Sequence, residues 1–188
     1  MANVEINELS VEHTTLAAND LLAVDVPIGG GEYELRKIKG QNLKLARSRS
    51  FHVPYYDNDQ DQYLYGVELA DGVSRQVTGA FQIPQDYQGT MKVYAIINPA
   101  GNTGNMKYWF SVRQGGVGEA YNAHDYTISD QVEAIAAGLN LIGEVSLAQA
   151  TAGDFVTLGL VRLGGDAADT INAAVYLLGF YVTYTADN

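Results

Sequence analysis

The stretch Thr90-Met91-Lys92-Val93-Tyr94-Ala95-Ile96-Ile97 runs into Asn98-Pro99-Ala100-Gly101-Asn102, and Lys107-Tyr108-Trp109-Phe110-Ser111-Val112 follows. Each flanking run is short and rich in Val, Ile, Tyr and Phe, residue types that suit a half-buried pleated surface. The Asn, Pro and Gly between them are turn formers. The unit reads as strand, turn, strand. Working outward, the same pattern recurs at Phe51 to Tyr56, Gln62 to Leu69, Arg75 to Ile83, Leu141 to Leu147, Phe155 to Leu163 and Val175 to Thr185. Asp71-Gly72, Gln114-Gly115-Gly116, Gly153-Asp154 and Gly164-Gly165-Asp166 punctuate the rest. One segment, Ser129 to Gly138, reads as a helix capped by Ser129 and ended by Gly138, with Val132, Ile135 and Ala136 inward. About eight strands, one short helix and long loops predict an all-β, antiparallel two-sheet sandwich of jelly-roll type. A Greek-key lectin-like sandwich is the rival, and the strand order is left open.

The domain is expected to span 49–188, preceded by an extended attachment segment, 1–48. Within that segment Leu21 to Pro27 and Tyr33 to Ile38 read as strands about the Gly29-Gly30-Gly31 turn. Val4 and Ile6 suggest a short extended piece, Thr14 to Asp20 a turn, and Gln41 to Arg47 a helical turn or linker. The segment is too thinly apolar to hold a core alone.

Charge is distributed in blocks. The chain of 188 residues has a net charge of -11, which repels phosphates and excludes nucleic acid as a partner. Residues 1 to 35 hold acids and no Lys or Arg, whereas 36 to 49 hold Arg36, Lys37, Lys39, Lys44, Arg47 and Arg49 and no acid. Such blocks point to electrostatic docking on an acidic neighbour, or to a solvated linker face. No apolar run approaches a membrane span, and no signal peptide is read at the N-terminus.

Chemistry-bearing motifs are few. With no cysteine, disulfides, thiolate metal sites and cysteine nucleophiles are excluded. His13, His52 and His124 are far apart, with no metal-binding spacing. Asp57, Asp59 and Asp61 with Glu68 resemble the start of a calcium loop, but Gln62 stands where the sharp turn needs Gly, so an acidic solvent loop is expected. The loop Gln114 to Glu119 lacks the helix and Lys of a phosphate cradle. No Gly-x-Ser-x-Gly elbow is present. Neither enzyme activity nor a cofactor is expected. The thirteen tyrosines are more suggestive. Tyr55, Tyr56, Tyr63, Tyr65, Tyr121 and Tyr126 flank expected loops and are candidates for subunit or ligand contacts. Trp109 is expected in the core.

Thr15-Leu16-Ala17-Ala18-Asn19-Asp20-Leu21-Leu22-Ala23-Val24 and Tyr33-Glu34-Leu35-Arg36-Lys37-Ile38-Lys39-Gly40 resemble the N-terminal attachment segments of tailed-bacteriophage fibres, where a TxLxxxDLLxV strand pairs with an RKI-containing strand. Gly104 to Val112, Gly153 to Arg162 and Asp169 to Tyr184 resemble jelly-roll domains of phage virion proteins: head fibres, capsid decoration or cement proteins, and some tail fibres. The resemblance implies a structural virion protein, assembled in the host cytoplasm as a homotrimer on the major capsid protein or another virion protein. Leu16, Leu21, Leu22, Val24, Ile38, Arg36, Lys37 and Lys39 would anchor it to the capsid. A short tail fibre that binds host glycans is the alternative. Unlike long tail fibres, the chain has no shaft repeat or coiled coil.

Overall fold

The computed structural model describes residues 21–29, 32–39, 47–56, 62–63 and 66–186, and the side chains of 47–56 and 66–186. The chain divides into two compact units, and the second is Ala46–Asp187. In the first, β1 (Leu21–Gly29) pairs antiparallel with β2 (Glu32–Lys39).

The second unit opens with β3 (Arg47–Val53), β4 (Tyr55–Tyr56) and β5 (Gln62–Tyr63). Eight strands follow: β6 (Gly66–Leu69), β7 (Ser74–Gln82), β8 (Tyr87–Pro99), β9 (Gly104–Gly115), β10 (His124–Ile135), β11 (Asn140–Ser146), β12 (Phe155–Leu163) and β13 (Val175–Ala186). Among the described residues there is no helix. The first of the eight pairs with the last, the second with the seventh, the third with the sixth and the fourth with the fifth. That is one long antiparallel ladder. Rolling it up adds β8 beside β13 and β9 beside β12. The sheets that result run β10-β9-β12-β7-β4 and β11-β8-β13-β6-β5, with β3 beside the C-terminal part of β13. The topology is a jelly roll, which decides between the two sandwiches the sequence allows.

The two-residue period of the strands builds the core. Met91, Val93, Ala95 and Ile97 of β8 face Met106, Phe110 and Val112 of β9, all with no exposed surface. Phe110 and Phe180 stack at 5.7 Å between the sheets. In β13 the alternation slips by one residue between Leu177 and Gly179, at a bulge. Gly179 has φ +141°, and a Cβ there would collide with the His52 ring, so the bulge needs glycine.

Four expectations need correction. Gln62 to Leu69 is not one strand, since β5 and β6 pair antiparallel with each other. Ser129 to Gly138 is not a helix: its first part belongs to β10, paired residue by residue with β9. Val132 and Ile135 fit a helical arc, but their odd spacing puts them on opposite faces of a strand, and Val132 is 47% exposed while Ile135 is 3% exposed. The demand of β9 for a partner overrides local propensity. One extra residue is absorbed in a bulge, where Ser129 and Asp130 together stand opposite Trp109, with Asp130 at φ 53°. The single expected strand Phe51 to Tyr56 is broken at Pro54, and its halves β3 and β4 join different sheets. Trp109 is half-buried on the outer face opposite Val161, while its neighbour Phe110 takes the core position. Val4, Ile6, Thr14 to Asp20 and most of Gln41 to Arg47 lie outside the described residues.

Two buried polar nodes lock the ends of β12. Arg162 points inward and is wholly enclosed. Its guanidinium donates to both carboxylate oxygens of Asp169, at 3.0 and 2.8 Å, and to the carbonyls of Leu69, Ala173 and Ile171. At the other end Gln114 donates to Asp154 Oδ2 at 2.8 Å and to the Gln149 carbonyl at 3.0 Å.

Candidate functional site

The outer face of the five-stranded sheet carries a groove of about 330 Å³. Its floor comes from β7, β12 and β9. Gln76 and Thr78 stand on β7, Thr157 and Gly159 on β12, Ser111 and Arg113 on β9. Alternation sends these residues outward while Val77, Val156, Leu158 and Val112 between them fill the core. Gly159 lies between Thr78 and Ser111 in the ladder. A Cβ on Gly159 would come within 2.8 Å of Ser111 Oγ and 3.0 Å of Gln76 Nε2. The glycine therefore keeps the floor low and lets a hydroxyl and an amide converge above it.

Two tyrosines line the same groove. Tyr56 from β4 is 61% exposed and Tyr121 from the β9–β10 connection is 67% exposed. The Arg113 guanidinium lies 5.7 Å from the centre of the Tyr121 ring, a cation–π contact, and its Nε is 4.0 Å from Asp125. Trp109 stands on the same outer face, one outward position along β9 from Ser111. Among the described residues that line the groove there is no acid and no histidine. Such a lining offers stacking surfaces, hydroxyls, an amide and one cation.

A second cavity, of about 380 Å³, lies between β10 and β11 and holds two carboxylates. Tyr108 donates to Glu133 at 2.7 Å and Tyr94 to Glu144 at 2.7 Å. Hydrogen bonds from Lys92 and Tyr94 hold the Glu144 carboxyl below its ordinary 4.5. Burial, then the bond to Glu133, pushes the Tyr108 hydroxyl well above the usual range. Each carboxylate of the pair is thus engaged by a tyrosine hydroxyl of the chain, and Glu144 is held ionised.

The tyrosines singled out from sequence separate clearly. Tyr56 and Tyr121 meet at the groove. Tyr55 and Tyr126 pack against the core, and Tyr126 Oη accepts the Gln149 N–H at 3.1 Å. Tyr63 is in β5, and Tyr65 lies outside the described residues. Of the anchoring set, Leu21, Leu22 and Val24 are in β1 opposite Lys39, Ile38 and Arg36 of β2, and Lys37 faces Ala23. Leu16 and the acidic run Asp57, Asp59 and Asp61 lie outside the described residues. Gln114 to Glu119 forms a tight loop closed by Glu119, whose carboxylate accepts the Gly116 N–H at 3.0 Å. Sequence reasoning missed Gln76, Thr78, Ser111, Arg113, Thr157 and Gly159 because they come from three strands that the chain order does not place together.

No helix among the described residues is long and apolar enough to cross a membrane. No family model and no curated protein matches the chain. Among solved structures it is similar to the carbohydrate-binding module TmCBM61 in complex with beta-1,4-galactotriose, at 13% identity and a TM-score of 0.35, over 72% of this chain and 86% of that one. It is also similar to dimeric latent PorU from Porphyromonas gingivalis, at 15% identity and a TM-score of 0.33, over 77% of this chain and 13% of that one.

Proposed function

We propose that this chain is a non-enzymatic structural protein of a tailed-bacteriophage particle. Residues 1–48 attach it to the capsid, on the major capsid protein or another virion protein, and the jelly roll is displayed as a homotrimer that decorates or cements the shell. The supporting observation is the β1–β2 pairing. Leu21 to Val24 lie against Arg36 to Lys39, and these are the two motifs that resemble fibre attachment segments. A two-stranded ribbon offers edges that can extend a partner's sheet. Exposed charge contacts from the basic block contribute roughly 0–1 kcal/mol each, so backbone pairing and apolar burial would dominate attachment. Three linked copies would add avidity. The test is a protein shortened to start at Ala46, mixed with purified capsids that lack it. The expected result is a folded, soluble domain that no longer binds. Undiminished decoration by the shortened form overturns the anchoring.

The groove favours a second reading, a short tail fibre or receptor-binding protein that takes a host glycan. Exposed tyrosines stack on sugar rings, and Gln76, Ser111, Thr78 and Thr157 supply the hydroxyl and amide partners a saccharide needs. A glycan-array screen tests it. Binding that is lost in Tyr121→Ala and in Gly159→Val, with folding intact, supports the reading. No binding on the array, together with full-length protein found on heads and not tails, rejects it.

A further inference from the structure

We infer that the groove takes an uncharged, linear oligosaccharide laid across the strands, at least three rings long, with one ring on each tyrosine and one over Gly159. The inference rests on the glycan reading above and deepens it by naming the class of saccharide and its direction. The direction comes from the ladder. Tyr56 of β4 pairs with Thr78 of β7, Thr78 with Gly159 of β12, and Gly159 with Ser111 of β9. These four residues form one row across the strands on the outer face. Three inter-strand steps of roughly 4.8 Å put about 14 Å between the ends of the row, more than one pyranose can span. Tyr56 stands at one end. Beyond the other is Tyr121, packed on the Arg113 guanidinium. The β9–β10 connection reaches that place because Gly115 has no side chain: a Cβ there would collide with the Ala120 carbonyl and come within 3.2 Å of the Tyr121 Cα.

Between the aromatic ends the lining changes character. The Gln76 amide and the Thr157 hydroxyl flank the row and have no hydrogen-bond partner among the described residues. Thr78 and Ser111 reach only the carbonyls of Tyr56 and Gly159, at 3.5 and 3.4 Å. Bonds that long are weak, and a ligand can replace them. Stacking faces at the ends and unspent donors and acceptors between them match a chain of rings with apolar faces and hydroxylated rims. A flat apolar ligand would cover these groups without pairing them, at a cost. An extended peptide would need a free strand edge, and this site is the face of a sheet.

Charge sets the class of saccharide. Arg113 is the one cation among the described residues that line the groove, and Asp125 stands 4.0 Å from its Nε. An acidic polysaccharide would approach a chain of net charge -11 with that single cation to receive it. A cationic sugar would find no acid among the described lining residues. An uncharged chain pays neither cost and can use every donor and acceptor of the floor. Arg113 lies at one end only, so the two ends of the bound chain meet different groups.

The test uses the full chain. Titration calorimetry is run with neutral gluco-, galacto- and manno-oligosaccharides of one to five rings, and with oligouronates and chitosan oligomers as charged counterparts. The expected result is a neutral series whose affinity climbs at least ~10-fold from two rings to three. Tyr56→Ala and Tyr121→Ala should each flatten that climb, with an unchanged far-ultraviolet spectrum. A chain lying along β12 would instead meet Phe155, exposed at the start of that strand, and not Tyr56. Phe155→Ala should therefore bind like wild type. A loss in Phe155→Ala with none in Tyr56→Ala overturns the inference. So does a disaccharide that binds as tightly as the trisaccharide, or a charged series that binds more tightly than the neutral one, and in these cases the glycan reading stands. No saccharide bound at any length overturns both.

Discussion

Arg162 sits where an all-β core would ordinarily hold a leucine. It closes the end of the sandwich because every direction in which its guanidinium points meets an acceptor, and the Asp169 side chain opposite is itself fully enclosed. Removing one partner strands the other charge in a low-dielectric site. Arg162→Met should therefore cost about 3–5 kcal/mol in urea unfolding. Arg162→Met/Asp169→Leu should cost less than the sum of the single changes, since the double variant leaves no orphaned charge. Strict additivity would show that the pair does not act as a unit. Gly179 gives a second test. Alanine there combines a left-handed φ with a clash against the His52 ring and should lower stability by about 1–3 kcal/mol. The same change at Gly159 meets only the ends of the Ser111 and Gln76 side chains, which can move, so its effect should be on the groove and not on folding.

At the scale of elements, β10 is the informative case. Its sequence carries both a helical arc and a strand alternation, and over ten residues the two cannot be told apart by periodicity. Side-chain burial distinguishes them. Ile135→Ala should cost about 2–5 kcal/mol, because Ile135 lies opposite Gly104 at the core edge. Val132→Ala should stay within about 0.5 kcal/mol. A helix would have made both positions costly, and comparable losses at the two would return that reading. The strands quoted first, β8 and β9, were legible because their apolar positions alternate over their whole length and a proline–glycine turn separates them. The break at Pro54 was not read from the sequence, which ran one strand through it, and neither was the entry of its two sides into different sheets, since the destination of β3 is β13, at the far end of the chain.

For the molecule as a whole, acid should be the weak side. The bond from Lys107 and the Ala168 N–H hold the Asp166 carboxyl below its ordinary 3.8, and Lys92 with Tyr94 does the same for Glu144 against 4.5. A carboxyl whose folded value is depressed adds stability that is full above its unfolded value and is lost as pH falls through the folded one. Lys107, raised by its bond to Asp166, and Lys92, raised by its bond to Glu144, act in reverse: their part is present below 10.5 and lost above. Urea midpoints should be flat near neutrality and fall below about pH 4.5. Lys107→Met should soften the acid limb, and an acid limb identical in wild type and variant would dismiss this pair as its source.

The sequence by itself determined that the chain is all-β and that its surface is acidic. Period-two alternation, β-branched and aromatic content and glycine turns are local properties, and charge is additive. The tertiary structure alone decided the jelly-roll order, the inward turn of Arg162, the outward turn of Trp109 and the assembly of the groove. Each depends on which strands lie side by side. Gly159 acquires its neighbours Thr78 and Ser111 only when β12 inserts between β7 and β9. That insertion is settled by the joint burial of two whole sheets, a free energy that belongs to no single segment.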